Sequence, residues 1–241
     1  MIILVLLLLN AVLCQDCYLN KTKDLLDNDF GKIWIDQTFQ GVIGTENLRI
    51  QIRFLAIQQD SSSKNVYHII GKSKVNDNIC DFRGQITVTD IDTLNSKCDG
   101  PVPDGLIAGS YEFWEDSTQN HVGRSSGLFK SQWQVRDGDF IPFVGWYTDN
   151  EVNVFKGQWQ EYGKSRSLLC SWGKRVPPEF KDELFPYLEN GFFGFNPEYI
   201  DKGWRSFVMA NSGFIFFAGR SEYSEQEKKE ARAIEAIEWW R

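Results

Sequence analysis

Along residues 129–134 the side chains alternate strictly. Phe129, Ser131 and Trp133, followed by Val135, fall on one parity, with Lys130, Gln132 and Gln134 on the other. The hexapeptide FKSQWQ returns as FKGQWQ at 155–160, setting Phe155, Gly157 and Trp159 against Lys156, Gln158 and Gln160. Strand side chains point to alternate faces, so each copy predicts a strand with one dry and one wet side. A single wet face suits an antiparallel sheet, because parallel strands are covered on both faces. The same alternation extends upstream through 34–42 (WIDQTFQGV), 48–57 (LRIQIRFLAI), 66–75, 80–91 (CDFRGQITVTDI) and 107–114 (IAGSYEFW). Breakers separate these runs: polar 58–65, Asn76-Asp77-Asn78, the prolines of 99–105, Asp137-Gly138 and Thr148-Asp149-Asn150.

Within the dry face, glycine recurs two residues before an aromatic ring at Gly109/Tyr111, Gly127/Phe129, Gly145/Tyr147 and Gly157/Trp159. A bare backbone lets a neighbouring ring lie across it and lets a sheet coil. The pattern therefore predicts an all-β, antiparallel up-and-down barrel of about eight strands spanning residues 15–175. Eight is the number at which side chains fill the interior or leave room for one small ligand. An open two-sheet β-sandwich satisfies the same alternation and is the alternative.

After Gly173 the composition changes. Pro177-Pro178-Glu179 predicts a short helix through Leu188, ended by Pro186. Residues 191–204 are irregular and rich in glycine and rings, and 213–217 predicts one more strand. Ser224 with Glu227 three residues on forms a capping box, opening an amphipathic helix over 225–241 with Ala233, Ile234, Ile237 and Trp240 at helical spacing. Residues 176–241 are thus expected to wrap the barrel. The Trp239-Trp240 pair would seal the mouth, dock on the outer wall or meet a partner, and docking on its own chain is favoured because an exposed pair is a liability.

The N-terminus reads MIILVLLLLNAVLC, an apolar run followed by Gln15 and Asp16, which predicts a signal peptide over 1–14 and a secreted, periplasmic or cell-envelope location. The run is shorter than the ~20 residues of a membrane span. Lipidation of Cys14 is the minority alternative, because a lipoprotein cleavage site prefers a small residue just before the cysteine and Leu13 stands there. The remaining Cys17, Cys80, Cys98 and Cys170 are even in number and widely spaced, which in an exported chain predicts disulfides of unassigned connectivity over a zinc site. A net charge of −7 and pI near 5.0 with no Lys/Arg cluster argue against nucleic acid.

The stretches VNDNICDFRGQITV (75–88), GSYEFWEDSTQNHVGRSSGLFKSQW (109–133), VFKGQWQEY (154–162), CSWGKR (170–175), YIDKGW (199–204) and EWWR (238–241) resemble a group of exported bacterial proteins without an assigned function. That resemblance implies a shared β fold and export, and it carries over no catalytic residue. The glycine–aromatic strands are also similar to those of calycin barrels, the avidin-like and lipocalin-like proteins, which implies a calycin-like fold. A lipocalin-type G-x-W close to the mature N-terminus is missing, since Trp34 precedes Gly41 by seven residues.

Candidate chemistry is sparse. His68 and His121 are the only histidines, which leaves little for a Ser-His-Asp device or a catalytic metal, and no cofactor or metal site is expected. His68 is expected in packing or at the surface, and His121 in a loop. Asp90/Asp92, Asp137/Asp139 and Asp149/Glu151 complete no calcium-loop series. Asn20-Lys-Thr22 fits a glycosylation acceptor. Paired carboxylates serve glycoside hydrolysis, and Glu112 and Glu115 are the candidates. Glu112 points away from Tyr111 and Phe113, whereas Glu115 lies on the core face if the strand continues that far. Tyr111, Phe113, Phe129, Trp133, Phe155 and Trp159 converge on one face and, with Glu115, form the candidate ligand-binding set. The expected function is a non-catalytic module for a small apolar or glycan ligand. The alternatives are an envelope-polysaccharide hydrolase and a structural or interaction protein whose rings simply fill the core.

Overall fold

The computed structural model describes residues 18–21, 23–95, 102–143, 153–174, 181–186, 194–212, 216–217 and 223–241. The predicted signal peptide, Cys17, Cys98, Gly145, Tyr147 and half of the predicted 177–188 helix lie outside them. Among the described residues ten strands precede the C-terminal extension: β1 (Tyr18–Lys21), β2 (Thr38–Ile43), β3 (Leu48–Gln59), β4 (Val66–Val75), β5 (Asn78–Asn95), β6 (Gly105–Glu115), β7 (Gly123–Arg136), β8 (Asp139–Pro142), β9 (Val154–Glu161) and β10 (Ser167–Gly173). Eight of them run around a ring in the order β2-β3-β4-β5-β6-β7-β9-β10, and β10 pairs back onto β2. All of these pairings are antiparallel. The expected all-β, up-and-down architecture is therefore the observed one, in a ring-like, barrel-like sheet.

Two strands sit outside this circuit. β1 adds to the far end of β5. β8 folds back from β7 through Asp137-Gly138, both at positive φ as a two-residue hairpin requires. It pairs with Trp133–Arg136, just beyond the stretch of β7 that pairs with β9. Register shifts at Phe54/Ala56 in β3 and Val88/Asp90 in β5 bend these two strands.

In-face glycines and rings meet as the alternation implies. Gly84 faces Phe113 across β5–β6 and Gly109 faces Phe129 across β6–β7. A Cβ would come within 2.7 Å of the Phe113 ring at Gly84 and 2.9 Å of the Phe129 ring at Gly109, so the rings occupy the room a side chain would need. Around them Phe39, Phe54, Tyr111, Phe129, Phe155 and Trp172 form a continuous interior of mostly edge-to-face contacts.

One segment departs from the sequence expectation. The run 34–42 predicts a single strand, yet β2 begins only at Thr38. Residues 23–37 form two short 3-10 turns, Lys23–Asp27 and Gly31–Ile33, and the left-handed Asp36 (φ 60°) turns the chain into β2. Phe30, Ile33 and Trp34 are at most 1 % exposed and plug one end of the ring. The Trp34 indole donates to Ser131 Oγ (2.9 Å) and packs edge-on against Tyr67 and Phe129, while the Phe30 amide donates to the Tyr67 hydroxyl (3.0 Å).

The extension packs outside the ring. It comprises α1 (Lys181–Leu184), β11 (Gly194–Phe195), α2 (Arg205–Ala210), β12 (Phe216–Phe217) and α3 (Glu225–Glu235), with β11 and β12 paired in parallel. A second core unites outward-facing Val42 with Leu184, Phe195, Ile200, Trp204 and Val208. The Ser224/Glu227 capping box forms as the sequence predicts, but the helix stops at Glu235 rather than running to Arg241. Its docked face carries Ala231 and Glu235, and Ala233, Ile234 and Ile237 are exposed. The predicted apolar stripe is thus corrected. Docking is carried by the Glu235 carboxylate, which takes two bonds from Arg49 on the outer wall (2.8 and 2.6 Å). Trp240 lies under the Arg53 guanidinium at 4.7 Å and Trp239 beside Lys74, so the pair docks on the outer wall.

The cysteines also differ from expectation. Cys80 and Cys170 are buried free thiols, and no disulfide joins the described cysteines. Cys170 is enclosed in the interior core, where the described chain offers it no partner. No helix among the described residues is long and apolar enough to cross a membrane.

Candidate functional site

The end of the ring opposite the plug holds a cavity of about 380 Å³. Its apolar wall is Ile43, Leu48, Ile50, Val75, Leu168 and one edge of Trp159, contributed by β2, β3, β4, β10 and β9. Its polar side is Ser73, Asn78, Cys80 and Glu115. At the rim stand Glu46, His121 and Arg166.

Glu115 is the last residue of β6, and continued alternation turns its side chain inward, as the sequence predicts. Its Oε1 accepts from Ser73 Oγ (2.6 Å), and its Oε2 accepts from the Gly123 amide (2.8 Å) and the Trp159 indole (2.9 Å). The Tyr162 hydroxyl donates to the Glu115 carbonyl (2.9 Å), fixing the strand end. Burial pushes this carboxyl above the usual range, and the three donors pull in the opposite direction without overcoming it. Every group that lowers it is a neutral donor.

The two copies of the hexapeptide explain why Trp159 is here and Trp133 is not. β7 and β9 are antiparallel, with Phe129 opposite Phe155 and their rings stacked at 5.6 Å. The two tryptophans therefore lie at opposite ends. Trp133 is buried under the plug against Phe30 and Phe140, and Trp159 reaches the mouth. The Ser/Gly exchange has a local reason in each copy. Ser131 supplies the acceptor for Trp34, whereas at Gly157 a Cβ would come within 2.7 Å of the Tyr111 hydroxyl.

Of the predicted binding set, Glu115 and Trp159 line the cavity. Tyr111, Phe113, Phe129, Trp133 and Phe155 are at most 3 % exposed and fill the body of the ring, the core-filling alternative. Glu112 faces outward and pairs with Arg124, so the two candidate carboxylates are not brought together. His68 is at the surface beside Asp60 (2.9 Å), and His121 is on the rim in a left-handed conformation (φ 51°). Burial, with the Glu115 charge second, pushes the Cys80 thiol up to about 11, and burial raises Cys170 further. Neither supplies a thiolate nucleophile near neutral pH. No group of three or more potential metal ligands occurs among the described residues.

Sequence reasoning missed Ser73, Cys80 and the aliphatic wall. Ile43 and Leu48 flank the β2–β3 turn and Val75 ends β4, so each reads locally as an ordinary strand-end hydrophobe. The only signal was positional: inward-facing residues at the four turns that ring one end. Comparison with protein-family models, with curated proteins and with solved structures finds no match for this chain.

Proposed function

We propose that this protein is an exported, non-catalytic binding module that takes one small, mainly apolar ligand into the open end of its ring. The observation that carries this reading is the 380 Å³ cavity, walled by aliphatic side chains and holding one mostly buried carboxyl. Aliphatic lining favours an apolar ligand over a glycan, which would ask for more ring faces and more polar partners. The hydrolase alternative loses its second carboxyl, because Glu112 faces outward and Glu46, at the rim, is engaged by Lys202 (2.5 Å). Export rests on the apolar N-terminal run alone.

The test is titration with the neutral fluorophore N-phenyl-1-naphthylamine. Saturable one-to-one binding is expected for the wild type and not for Leu168→Trp, which fills the mouth, with both proteins melting at similar temperatures. Failure of the wild type to bind, or equal binding by the filled variant, would overturn the reading.

A further inference from the structure

We propose that the cavity selects ligands that carry a protonated amine on an apolar body, with the Glu115 carboxylate as the counter-charge. This inference rests on the binding-module reading and specifies its ligand. A carboxylate offers about four acceptor positions. Three are taken by Ser73, Gly123 and Trp159, leaving one on Oε1. The Gly123 amide and the Trp159 indole can only donate, so they hold Oε2 as an acceptor whatever the state of the ligand.

A carboxylate turned away from water and held only by neutral donors is costly unless a cation joins it. No Lys or Arg among the described residues does so. Among the described residues Arg166 is the one Lys or Arg side chain lining the mouth, and it is exposed at the rim, where water and salt screen it. The other groups facing Glu115 are Ser73 on β4, Cys80 on β5, Trp159 on β9 and Tyr162 beyond it, with Cys170 deeper in the core and Glu46 and His121 at the rim. None supplies a fixed positive charge beside the carboxyl. An incoming ammonium would do so, while the aliphatic wall takes the rest of the ligand.

Octylamine, octanol and octanoate share one chain and differ in the head group, so their displacement of N-phenyl-1-naphthylamine separates the possibilities. Octylamine is expected to bind about tenfold more tightly than octanol, the difference between a charge-assisted and a neutral hydrogen bond, and octanoate more weakly than either. The octylamine preference should decline as pH falls and Glu115 gains its proton, since an alkylamine stays charged throughout. Glu115→Gln, which can still accept from Gly123 and Trp159 and donate to Ser73, should bind octylamine and octanol equally. His121→Asn should leave the pH dependence intact.

Equal or tighter binding of octanol or octanoate by the wild type would overturn the inference and leave the binding module standing. An undiminished octylamine preference in Glu115→Gln, or loss of the pH dependence in His121→Asn, would also overturn it. Absence of binding by all three ligands and by the fluorophore would instead remove the binding module itself.

Discussion

The two ends of the ring are built from the same strands and kept in opposite states. One end is stuffed from within by Phe30, Ile33 and Trp34. The other is braced from outside. The extension holds the β2–β3 turn through the Trp204 indole on the Asn47 carbonyl (3.0 Å), Lys202 on Glu46, and Glu235 on Arg49, and none of its described residues lines the mouth. The two hexapeptides, nearly identical in sequence, sample one end each. An aromatic on the dry face of a strand is therefore core or site depending on which end its strand direction delivers it to. Local sequence does not decide this.

The largest expected effect contrasts the two tryptophans. Trp133→Ala opens a hole beneath the plug and should cost about 3–5 kcal/mol in urea unfolding, whereas Trp159→Ala, at a partly open position, should cost about 1–2 kcal/mol. Equal losses would erase the distinction between the ends. Breaking the outer brace comes next. Glu235→Gln leaves Arg49 half-partnered and should cost about 2–3 kcal/mol. Burial pushes the Glu235 carboxyl up, but the Arg49 and Ser206 hydrogen bonds and the Arg49 charge outweigh this and hold it below its ordinary range. Its contribution is then present above the unfolded-state pKa and lost as pH falls through the folded value, so the gap between wild type and Glu235→Gln should narrow in acid.

Ser131→Ala tests the plug more gently. It removes the acceptor of the buried Trp34 indole and should cost about 1–3 kcal/mol by thermal melting. The smallest effect is at the mouth, where the sign is the informative part. Glu115 titrates above its ordinary range in the folded state, so its contribution is fully present in acid and lost as pH rises through the folded value. Glu115→Gln should therefore gain slightly in melting temperature over wild type at pH 8 and lose that gain at pH 4. A gain that grows in acid would contradict the burial of Glu115.

Period-two alternation made the β architecture legible, because one wet face and one dry face leave an antiparallel sheet few arrangements. It placed β4 at 66–75, as observed, and turned Glu115 inward. The plug was illegible for the same reason. Phe30, Ile33 and Trp34 follow no strand period, and Trp34 blends into the alternation of β2 until the left-handed Asp36 interrupts it. At the C-terminus, helical spacing pointed to Ile234 and Ile237. The docking is instead set by the ion pair of Glu235 with Arg49, a residue 186 positions away in sequence. The cavity is a property of four turns meeting at one end, which no single segment encodes.

The most direct test of this asymmetry reads both tryptophans in one sample. In protein labelled with 5-fluorotryptophan, with resonances assigned through Trp133→Phe and Trp159→Phe, titration with octylamine should shift the Trp159 signal and leave that of Trp133 in place. A shift of Trp133 as large as that of Trp159, or of Trp133 alone, would contradict one sealed end and one binding end.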